Sequence, residues 1–387
     1  MLTRQGWLVG AGAAALLTAG RLLGIFELFL LGAGAGALLL VCTLATSLTR
    51  LRLDVARELH PPRVHAGSPS RVEVSVRNSG GRRTPVLRLR DPVAGTRGAE
   101  LLLGPLKPGE RARAAYRLPT DKRGIVDVGP LSVIVSDPFG LTSVATPAAP
   151  VSQLTVYPRV DDVVAVPHTR GHDPHAGADH PNALGVVGED FYALRPYVLG
   201  DDLRRVHWPS TARHDSLMVR QDELPWQGRV TILLDVRRRT HTTDTLEAAI
   251  SAAASVVTAC WNRRDLVRVV TTDGRDTGYA AGHAHIEAVM EHLAVIGASG
   301  DAPVLRVLDA LRRSATGGAL VVLVGHVAAA ERDAIIRLRN TFGALALVTF
   351  GDGTGEQRGA EIRVTPDVPF ATAWNSAMKR RTVGAGR

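Results

Sequence analysis

The sequence contains few cysteines and few aromatic residues. Only two cysteines occur in 387 residues: Cys42 lies in an apolar run, and Cys260 lies in an Ala/Val-rich stretch. Neither is placed for a disulfide, and two cysteines alone cannot form a zinc ribbon, so the thiols indicate a reducing compartment. Aromatic residues make up 4% of the chain, and the net charge of +9 is spread as arginine over its whole length. Because a nucleic-acid-binding protein more often gathers basic and aromatic residues on one face, no nucleic-acid partner is expected.

The chain also lacks a Walker-type phosphate loop and a nucleophile elbow. The first motif would cradle the phosphates of a nucleotide, and the second would present a catalytic serine. Any nucleotide chemistry is therefore expected to belong to a partner, and no cofactor is predicted.

Two apolar segments stand at the N-terminus, Trp7–Leu23 and Ile25–Leu48. About 20 apolar residues are needed to cross the hydrocarbon core of a bilayer. The second segment meets this length and the first is at its short limit, so residues 1–50 are predicted to form a two-helix transmembrane hairpin. Small residues at Gly32, Gly34 and Gly36 are expected to allow the two helices to approach closely.

A cleaved signal peptide is the alternative interpretation, because Arg4 precedes the first apolar run and Ala19-Gly20 resembles a cleavage site. The second apolar segment directly behind it favours the hairpin. Arg4 lies before the first segment, and Arg50 and Arg52 follow the second, so the positive-inside rule predicts that both ends face the cytoplasm. The chain is thus expected in the cell membrane as a multi-pass protein, with Arg50, Arg52 and Arg57 beside anionic lipid.

Residues 51–160 are predicted to form a β-sandwich-like domain. Their apolar residues alternate with polar ones in short runs separated by Gly, Pro and Asn, which is typical of antiparallel strands. The clearest runs are Arg71–Arg77, Val86–Arg90, Ala112–Leu118 and Leu131–Val135. Lys122–Gly124 and Asp137–Leu141 are interpreted as turns.

Residues 161–228 are interpreted as a linker followed by a distinctive, highly charged segment. The linker carries histidines and aspartates between His168 and His180, which are possible ligands of a transition metal. Their spacing does not place two histidines on one face of a predicted helix, so a histidine-containing linker is favoured over a metal site.

The segment Gly188–Arg213, called the signature here, combines charged and aromatic residues. Its candidate interaction residues are Glu189, Arg195, Tyr197, Gly200, Asp201, Asp202, Arg204, His207, Trp208 and Arg213. A short helix carrying Leu203, Val206 and His207 is expected, followed by a strand over Asp215–Glu223. An ion-paired junction is favoured over an acid–base site built from Glu189, Asp190, Asp202 and His207.

Residues 229–387 alternate buried-strand runs with amphipathic stretches, which predicts an α/β doubly wound domain with a mainly parallel sheet. The predicted strands are Arg229–Asp235, Leu266–Thr272, Ala319–Val324 and Ala344–Phe350, and the predicted helices are Thr243–Trp261, 283–295, 303–314 and 328–340. Ligands of such sheets bind beyond the carboxyl ends of the strands, where Asp235 is expected.

A strand that ends in Asp235 at the head of such a domain resembles the von Willebrand factor type A fold. Together with GEDF…LRPY…GDDLRRVHW…STAR, the chain is similar to the bacterial domain-of-unknown-function 58 family. The KRG and DPFGL turns of the β-rich region also resemble that family. The resemblance implies a multidomain chain: a transmembrane hairpin (1–50), a β-sandwich-like domain (51–160), the linker and signature (161–228) and a von Willebrand factor A-like domain (229–387).

Metal-binding members of the wider von Willebrand A group carry Asp-x-Ser-x-Ser after the first strand, with oxygen ligands suited to Mg²⁺. Here the corresponding positions are Asp235, Arg237 and Arg239, and the loop Gly325–Val327 lacks the expected acid. Arginines supply no lone pair and repel a cation, so this metal site is predicted to be degenerate. Arg237 or Arg239 is expected to pair with Asp235, or the three arginines 237–239 to contact an acidic partner.

The resemblance implies a membrane-anchored, non-enzymatic scaffold or adaptor that works with a MoxR-type AAA+ ATPase in the assembly or maturation of client or envelope complexes. Two alternatives remain open at this point. One is a hydrolase that uses the Glu189–His207 region or the histidine-containing linker. The other is an envelope adhesion or assembly component, which would place the C-terminus outside the cell.

Overall fold

The computed structural model of the protein describes residues 2–48, 51–167, 190–197, 206–214, 216–223, 228–300, 303–314, 317–351 and 361–384. The chain divides into two compact units, Met1–Tyr157 and Pro158–Arg387.

The first unit begins with two apolar helices, α1 (Arg4–Leu23) and α2 (Phe26–Leu48). Thr3 caps α1 by accepting a hydrogen bond from the Gly6 amide at 3.1 Å. Gly24 ends the helix at φ 69°, a left-handed conformation that favours glycine. Both helices are long and apolar enough to cross a membrane.

Glycines let α1 and α2 pack closely, but only some of the expected ones take part. A Cβ atom on Gly20 would lie 2.6 Å from the Phe29 amide nitrogen, and one on Gly32 would lie 2.9 Å from atoms of α1. Gly34 and Gly36 face open space, so the prediction that they allow the approach was wrong.

The rest of the first unit is rich in strands. These are β1 (Leu53–His60), β2 (Arg63–His65), β3 (Arg71–Asn78), β4 (Leu87–Asp91), β5 (Ala99–Leu103), β6 (Arg111–Arg117), β7 (Gly124–Val128), β8 (Leu131–Ser136), β9 (Ser143–Ala149) and β10 (Ser152–Tyr157). They form sheets of order β1-β3-β6, β2-β10-β7 and β5-β4-β8-β9. All neighbouring pairs are antiparallel except β2 with β10.

One hydrophobic core joins these sheets. Alternate residues of the strands point into it, as the period of two in the sequence predicts. Its fully buried members include Val72, Val74, Val76, Leu87, Leu89, Leu131 and Leu154.

Arg57 lies inside this unit, so its expected place beside anionic lipid was wrong. Its guanidinium donates to the Asp91 carboxylate at 2.8 Å, and both side chains are 1% exposed. The Tyr116 hydroxyl donates to the same carboxylate at 2.6 Å. Burial and this hydrogen bond raise the pKa of Tyr116. Arg57 therefore stabilises the core of the β-rich region by pairing with a buried acid.

The second unit contains a five-stranded parallel sheet. Its strands are β13 (Arg229–Leu234), β14 (Leu266–Thr271), β15 (Ala319–Val324), β16 (Ala344–Phe350) and β17 (Ile362–Val364). They lie in the order β14-β13-β15-β16-β17. Its helices are α4 (Thr243–Asn262), α5 (His283–Val295), α6 (Val304–Ser314), α7 (Ala329–Arg337) and α8 (Phe370–Gly384), with a 3₁₀ turn at Leu338–Asn340. The predicted α/β class and parallel sheet are confirmed, whereas β17 and α8 were not predicted.

An extended segment before residue 168 packs on two helices of this sheet. The Asp161 amide donates to Ser255 of α4 at 2.9 Å, and the Trp374 indole of α8 donates to the Val164 carbonyl at 2.7 Å. Trp374 is fully buried. The C-terminal helix is thus held by the segment that enters this unit.

A second, antiparallel pair precedes the sheet, β11 (Asp190–Pro196) with β12 (Met218–Glu223), and α3 (Trp208–His214) lies between them in sequence. A short helix was expected to carry Leu203, Val206 and His207, and this prediction was wrong for two of the three residues. Val206 forms an antiparallel bridge with Val219, and His207 precedes α3. Leu203 lies outside the described residues.

Candidate functional site

Asp235 lies at the carboxyl edge of the parallel sheet, at the end of an interior strand. Asp235 directly follows β13, which pairs with β14 on one side and β15 on the other. Its amide donates to the Leu323 carbonyl of β15 at 2.9 Å, and its side chain is fully buried. The sequence analysis located this residue correctly, since the buried run 229–234 ends directly before it.

Arg237 binds the Asp235 carboxylate with two parallel hydrogen bonds. Its Nε donates to Oδ1 at 2.9 Å and its Nη2 donates to Oδ2 at 2.9 Å. The Arg237 side chain is 1% exposed. Such a forked contact is the strongest geometry available to an arginine and a carboxylate. The expected pairing of Asp235 with Arg237 is therefore present.

Glu331 completes the cluster from α7. The Arg237 guanidinium donates from Nη1 to Glu331 Oε1 at 2.7 Å and from Nη2 to Oε2 at 3.1 Å. We call Asp235, Arg237 and Glu331 the ionic cluster. Arg239 lies at its margin: its Nη2 is 3.8 Å from Glu331 Oε1 and its side chain is 55% exposed. One buried cation is thus held between two carboxylates, and Arg239 brings a second positive charge close to them.

Glu331 was not predicted from the sequence. An acid was expected in the loop Gly325–Val327, which has none, and the acid stands in the first turn of the next helix. An acid in the first turn of a helix that follows a parallel strand points towards the carboxyl edge of the sheet, and this position was the available signal.

Two threonines satisfy the remaining acceptor sites of Asp235. Thr240 donates to Oδ2 at 2.8 Å, and Thr272 donates to Oδ1 at 3.1 Å. Burial alone would raise the pKa of Asp235, but the hydrogen bonds and charge of Arg237 bring it below its usual range. Hydrogen bonding to Arg237 likewise lowers the pKa of Glu331. Both carboxyl groups are therefore ionised at neutral pH.

Neighbouring loops hold the cluster in place. The Ser299 amide donates to the Val236 carbonyl at 2.7 Å, and the His326 amide donates to the Thr240 carbonyl at 2.8 Å. Gly325 lies so close to the Thr240 carbonyl that a Cβ atom would overlap it. The loops after β13, α5 and β15 are consequently fixed against one another.

This arrangement favours a structural role for the cluster. The guanidinium fork is occupied by two carboxylates, so a divalent cation would first have to displace Arg237. Among the residues that the structure describes, no group of three or more His, Cys, Asp and Glu side chains is placed to hold a metal ion.

The signature is described only in part. Glu189, Gly200, Asp201, Asp202 and Arg204 lie outside the described residues, as do the histidines and aspartates from His168 to His180. Arg195 lies in β11 and Tyr197 directly follows it. The Tyr197 amide donates to the Leu217 carbonyl at 2.7 Å, which closes the end of the β11–β12 pair.

The other signature residues gather at the start of α3. The His207 amide donates to the Met218 carbonyl at 2.7 Å, and its Nδ1 lies 2.8 Å from the Ser210 hydroxyl. Trp208 is 66% exposed, and Arg213 is also exposed. Helix α3 thus presents a large aromatic side chain at its start and an arginine near its end to solvent.

The structure separates two members of the expected acid–base site. The Asp190 backbone pairs with Glu223 at one end of β12, whereas His207 bonds to Met218 at the other end. A strand advances about 3.4 Å per residue, so the length of β12 puts roughly 17 Å between these positions. Asp190 and His207 thus pair with opposite ends of β12, and the other two members of that suggested site, Glu189 and Asp202, lie outside the described residues.

Comparison with solved structures gives likenesses to parts of the chain. The CARDB domain of a Pyrococcus furiosus protein, in complex with di-metal ions, is 20% identical over 27% of this chain and 91% of that chain, with a TM-score of 0.21. The Pseudomonas fluorescens alkylpurine DNA glycosylase AlkC is 9% identical over 30% of this chain and 33% of its own, with a TM-score of 0.20. β-Glucosidase 3B from Thermotoga neapolitana is 16% identical over 28% of this chain and 17% of its own, with a TM-score of 0.17. Likenesses at these scores carry no functional conclusion.

No curated protein matches the chain. A family model does match, and the matched residues run from the signature through the ionic cluster to β16. Residues 193–346 match the model of the family described as protein of unknown function DUF58.

Proposed function

We propose that this protein is a membrane-anchored, non-enzymatic adaptor. Its N-terminal helices hold it in the cell membrane, and its β-rich and α/β parts lie in the cytoplasm. Following the family resemblance, its partner is a MoxR-type AAA+ ATPase that acts on client or envelope complexes. The two long apolar helices and the arginines at their open end support the anchoring and the orientation.

We also propose that the α/β part is von Willebrand factor A-like. The five-stranded parallel sheet and the position of Asp235 after β13, an interior strand, support this assignment. In this assignment Arg237 stands at a position where metal-binding members of that group carry a serine ligand. The fold then acts as a rigid support for a binding surface, without metal coordination.

The exposed Trp208 is the observation that carries the adaptor proposal. Tryptophan and arginine dominate the energetics of protein interfaces. With 66% of its surface exposed at the start of a short helix, Trp208 is accessible to a partner. Arg213 on the same helix adds a positive charge that suits an acidic partner surface.

Partner recovery from native membranes tests this proposal. The full-length protein is crosslinked, extracted in detergent and affinity-purified, and the co-purified ATPase is quantified. Wild-type protein is expected to recover it, and Trp208→Ala to recover at least about tenfold less, as for a hot-spot residue. Ile336→Ala on α7 is the control, because Ile336 is a 47% exposed apolar residue outside the signature. Failure to recover the ATPase with the wild type, or equal recovery with Trp208→Ala, would refute the proposal.

Reporter fusions test the orientation separately. A fluorescent protein fused to the C-terminus is expected to fold and fluoresce, and alkaline phosphatase at the same point to stay inactive. Active phosphatase would place the C-terminus outside the cell and favour the envelope adhesion alternative.

A hydrolase is the second candidate, favoured by one contact. The His207 Nδ1 and the Ser210 hydroxyl are 2.8 Å apart, the geometry of a base beside a nucleophile. Because the two residues are three positions apart at the start of α3, the same contact also serves as a local helix cap. A fluorophosphonate probe distinguishes the two: labelling that disappears in Ser210→Ala favours a hydrolase, and no labelling of the wild type favours the cap.

A further inference from the structure

A short loop connects the β-rich region to both apolar helices. Residues 137–142, here called the docking loop, join β8 to β9. The Asp137 carboxylate accepts hydrogen bonds from the Phe139 amide at 2.8 Å and from the Thr142 hydroxyl at 2.9 Å. Gly140 adopts φ 69°, which a glycine adopts without strain. The predicted turn is present, and its own hydrogen bonds fix its shape.

The docking loop binds the first turn of α1. The Thr3 amide donates to the Leu141 carbonyl at 2.9 Å, and the Thr3 hydroxyl donates to the Gly140 carbonyl at 2.6 Å. Gly6 lies against the Leu141 carbonyl so closely that any side chain would overlap it. Leu141 itself is 6% exposed. The start of the helix and the loop are therefore in intimate contact.

The same loop also binds the last turns of α2. The Thr46 and Thr142 hydroxyl groups are 2.6 Å apart, and the Thr142 hydroxyl oxygen lies 3.3 Å from the Cys42 carbonyl oxygen. Thr46 is 7% exposed and Thr142 is 1% exposed. Because α1 begins and α2 ends at the docking loop, the loop lies at the open end of the hairpin.

This position fixes the depth of the docking loop. The 20 residues of α1 rise about 1.5 Å each, which gives roughly 30 Å, the thickness of the hydrocarbon core. A loop that touches the first turn of α1 then lies where the helices leave the core. Trp7 is 68% exposed in that region, and aromatic side chains prefer this interface. The exposed Arg4 and Arg52 flank the same end and suit anionic headgroups.

Phe139 is the apolar group that the docking loop leaves uncovered. Its side chain is 62% exposed, and the neighbouring Pro138 is exposed as well. We propose that Phe139 inserts into the headgroup region of the bilayer and gives the protein a third membrane contact beside its two helices. The loop would then hold the β-rich region against the lipid surface, since it is bonded to both helices. This inference rests on the membrane-spanning role proposed for α1 and α2.

Site-directed fluorescence tests the insertion in the full-length protein. Both native cysteines are buried, so a cysteine introduced at the surface is the accessible target for an environment-sensitive NBD label. Phe139→Cys carries the label in the docking loop, and Leu102→Cys is the control because Leu102 is a 71% exposed apolar residue on β5. Each protein is reconstituted into vesicles of phosphatidylcholine and phosphatidylglycerol, and flotation with the vesicles is measured first.

At position 139 the label is expected to emit at shorter wavelength than at position 102. It is also expected to be quenched severalfold more strongly by lipids spin-labelled near the headgroup. Equal emission and equal quenching at the two positions, in protein that floats with the vesicles, would overturn the insertion and leave the anchoring intact. Protein that does not float would overturn the anchoring and the insertion together.

Discussion

Replacement of Arg237 by methionine tests whether the ionic cluster stabilises the α/β unit. Methionine keeps much of the length of the side chain but removes every side-chain hydrogen bond from residue 237 to Asp235 and Glu331, while the backbone amide of residue 237 still donates to Asp235. Asp235 is fully buried and would retain only the threonine hydroxyls and backbone amides as donors. Breaking a buried ion pair by removing one partner typically costs about 3–5 kcal/mol, because the other charge stays buried. We expect a loss of this size in the free energy of unfolding.

Urea unfolding of the full-length protein in detergent measures this loss. Trp374 is fully buried in the same unit, so tryptophan fluorescence reports its unfolding. With a urea dependence of about 3 kcal/mol per molar, the midpoint falls by roughly 1–1.7 M. Arg239→Met is the matched control: its side chain is 55% exposed and 3.8 Å from Glu331, so it should cost less than about 1 kcal/mol.

The loss of unfolding free energy in Arg237→Met should itself depend on pH. Folding lowers the pKa of both Asp235 and Glu331 from ordinary values near 4. The stabilisation by the cluster is therefore complete above about pH 5 and is lost as the pH falls through the folded pKa values. In Arg237→Met the buried Asp235 has no counter-ion and its pKa rises above the unfolded value. The variant should thus recover part of its lost stability, relative to the wild type at the same pH, as the pH falls from about 7 to 5.

Two results would refute this reasoning. One is an Arg237→Met variant that loses no more stability than Arg239→Met. The other is a difference in stability between wild type and variant that stays constant or grows as the pH falls from 7 to 5. A double variant, Arg237→Met with Asp235→Asn, checks the cause, because removing the stranded charge should restore part of the lost stability.

Three further predictions concern other parts of the chain. Gly6→Val should lower the thermal unfolding midpoint of the protein, because the valine side chain would overlap a carbonyl of the docking loop. Gly12→Val is the control and should leave the midpoint unchanged, because a Cβ atom there meets no atom within 4 Å. Equal midpoints of the two variants would contradict the close contact. Tyr116→Phe should cost about 1–3 kcal/mol of unfolding free energy in chemical denaturation, because Asp91 loses a buried donor, and an unchanged stability would mean that this bond contributes nothing. Calorimetric titration with Mg²⁺ should give no binding heat, and micromolar binding that disappears in Asp235→Ala would show that a metal displaces the guanidinium.

The sequence predicted those elements whose residues repeat with a clear period. The buried runs 229–234 and 319–324 became central strands because a continuous apolar run fits a sheet covered on both faces. Strands such as β3 and β4 followed from strict alternation. Helix α8 was missed because its surface is mostly polar, and its place depends on Trp374 reaching the Val164 carbonyl far away in the sequence.

The position of the site was predicted from the sequence, but its contacts were predicted only in part. Asp235 and Arg237 are two residues apart, so their pairing could be anticipated. Glu331 lies 94 residues from Arg237, and only the parallel order of β13 and β15 brings its helix to the same edge. Arg57 shows the opposite error. Its position after the two apolar segments predicted contact with lipid headgroups, yet it pairs with Asp91, which stands on a strand that only the tertiary fold brings close.

Arg237 also gives the loop after β13 a positive charge that is part of the chain itself. A divalent cation in such a place would come and go with its concentration, and chelators could remove it. The guanidinium is attached to the chain, so its local concentration is fixed once the loop after β13 has folded. The loop between Asp235 and Thr240 should therefore keep one shape in the presence of EDTA, and its integrity should not follow the supply of magnesium in the cell.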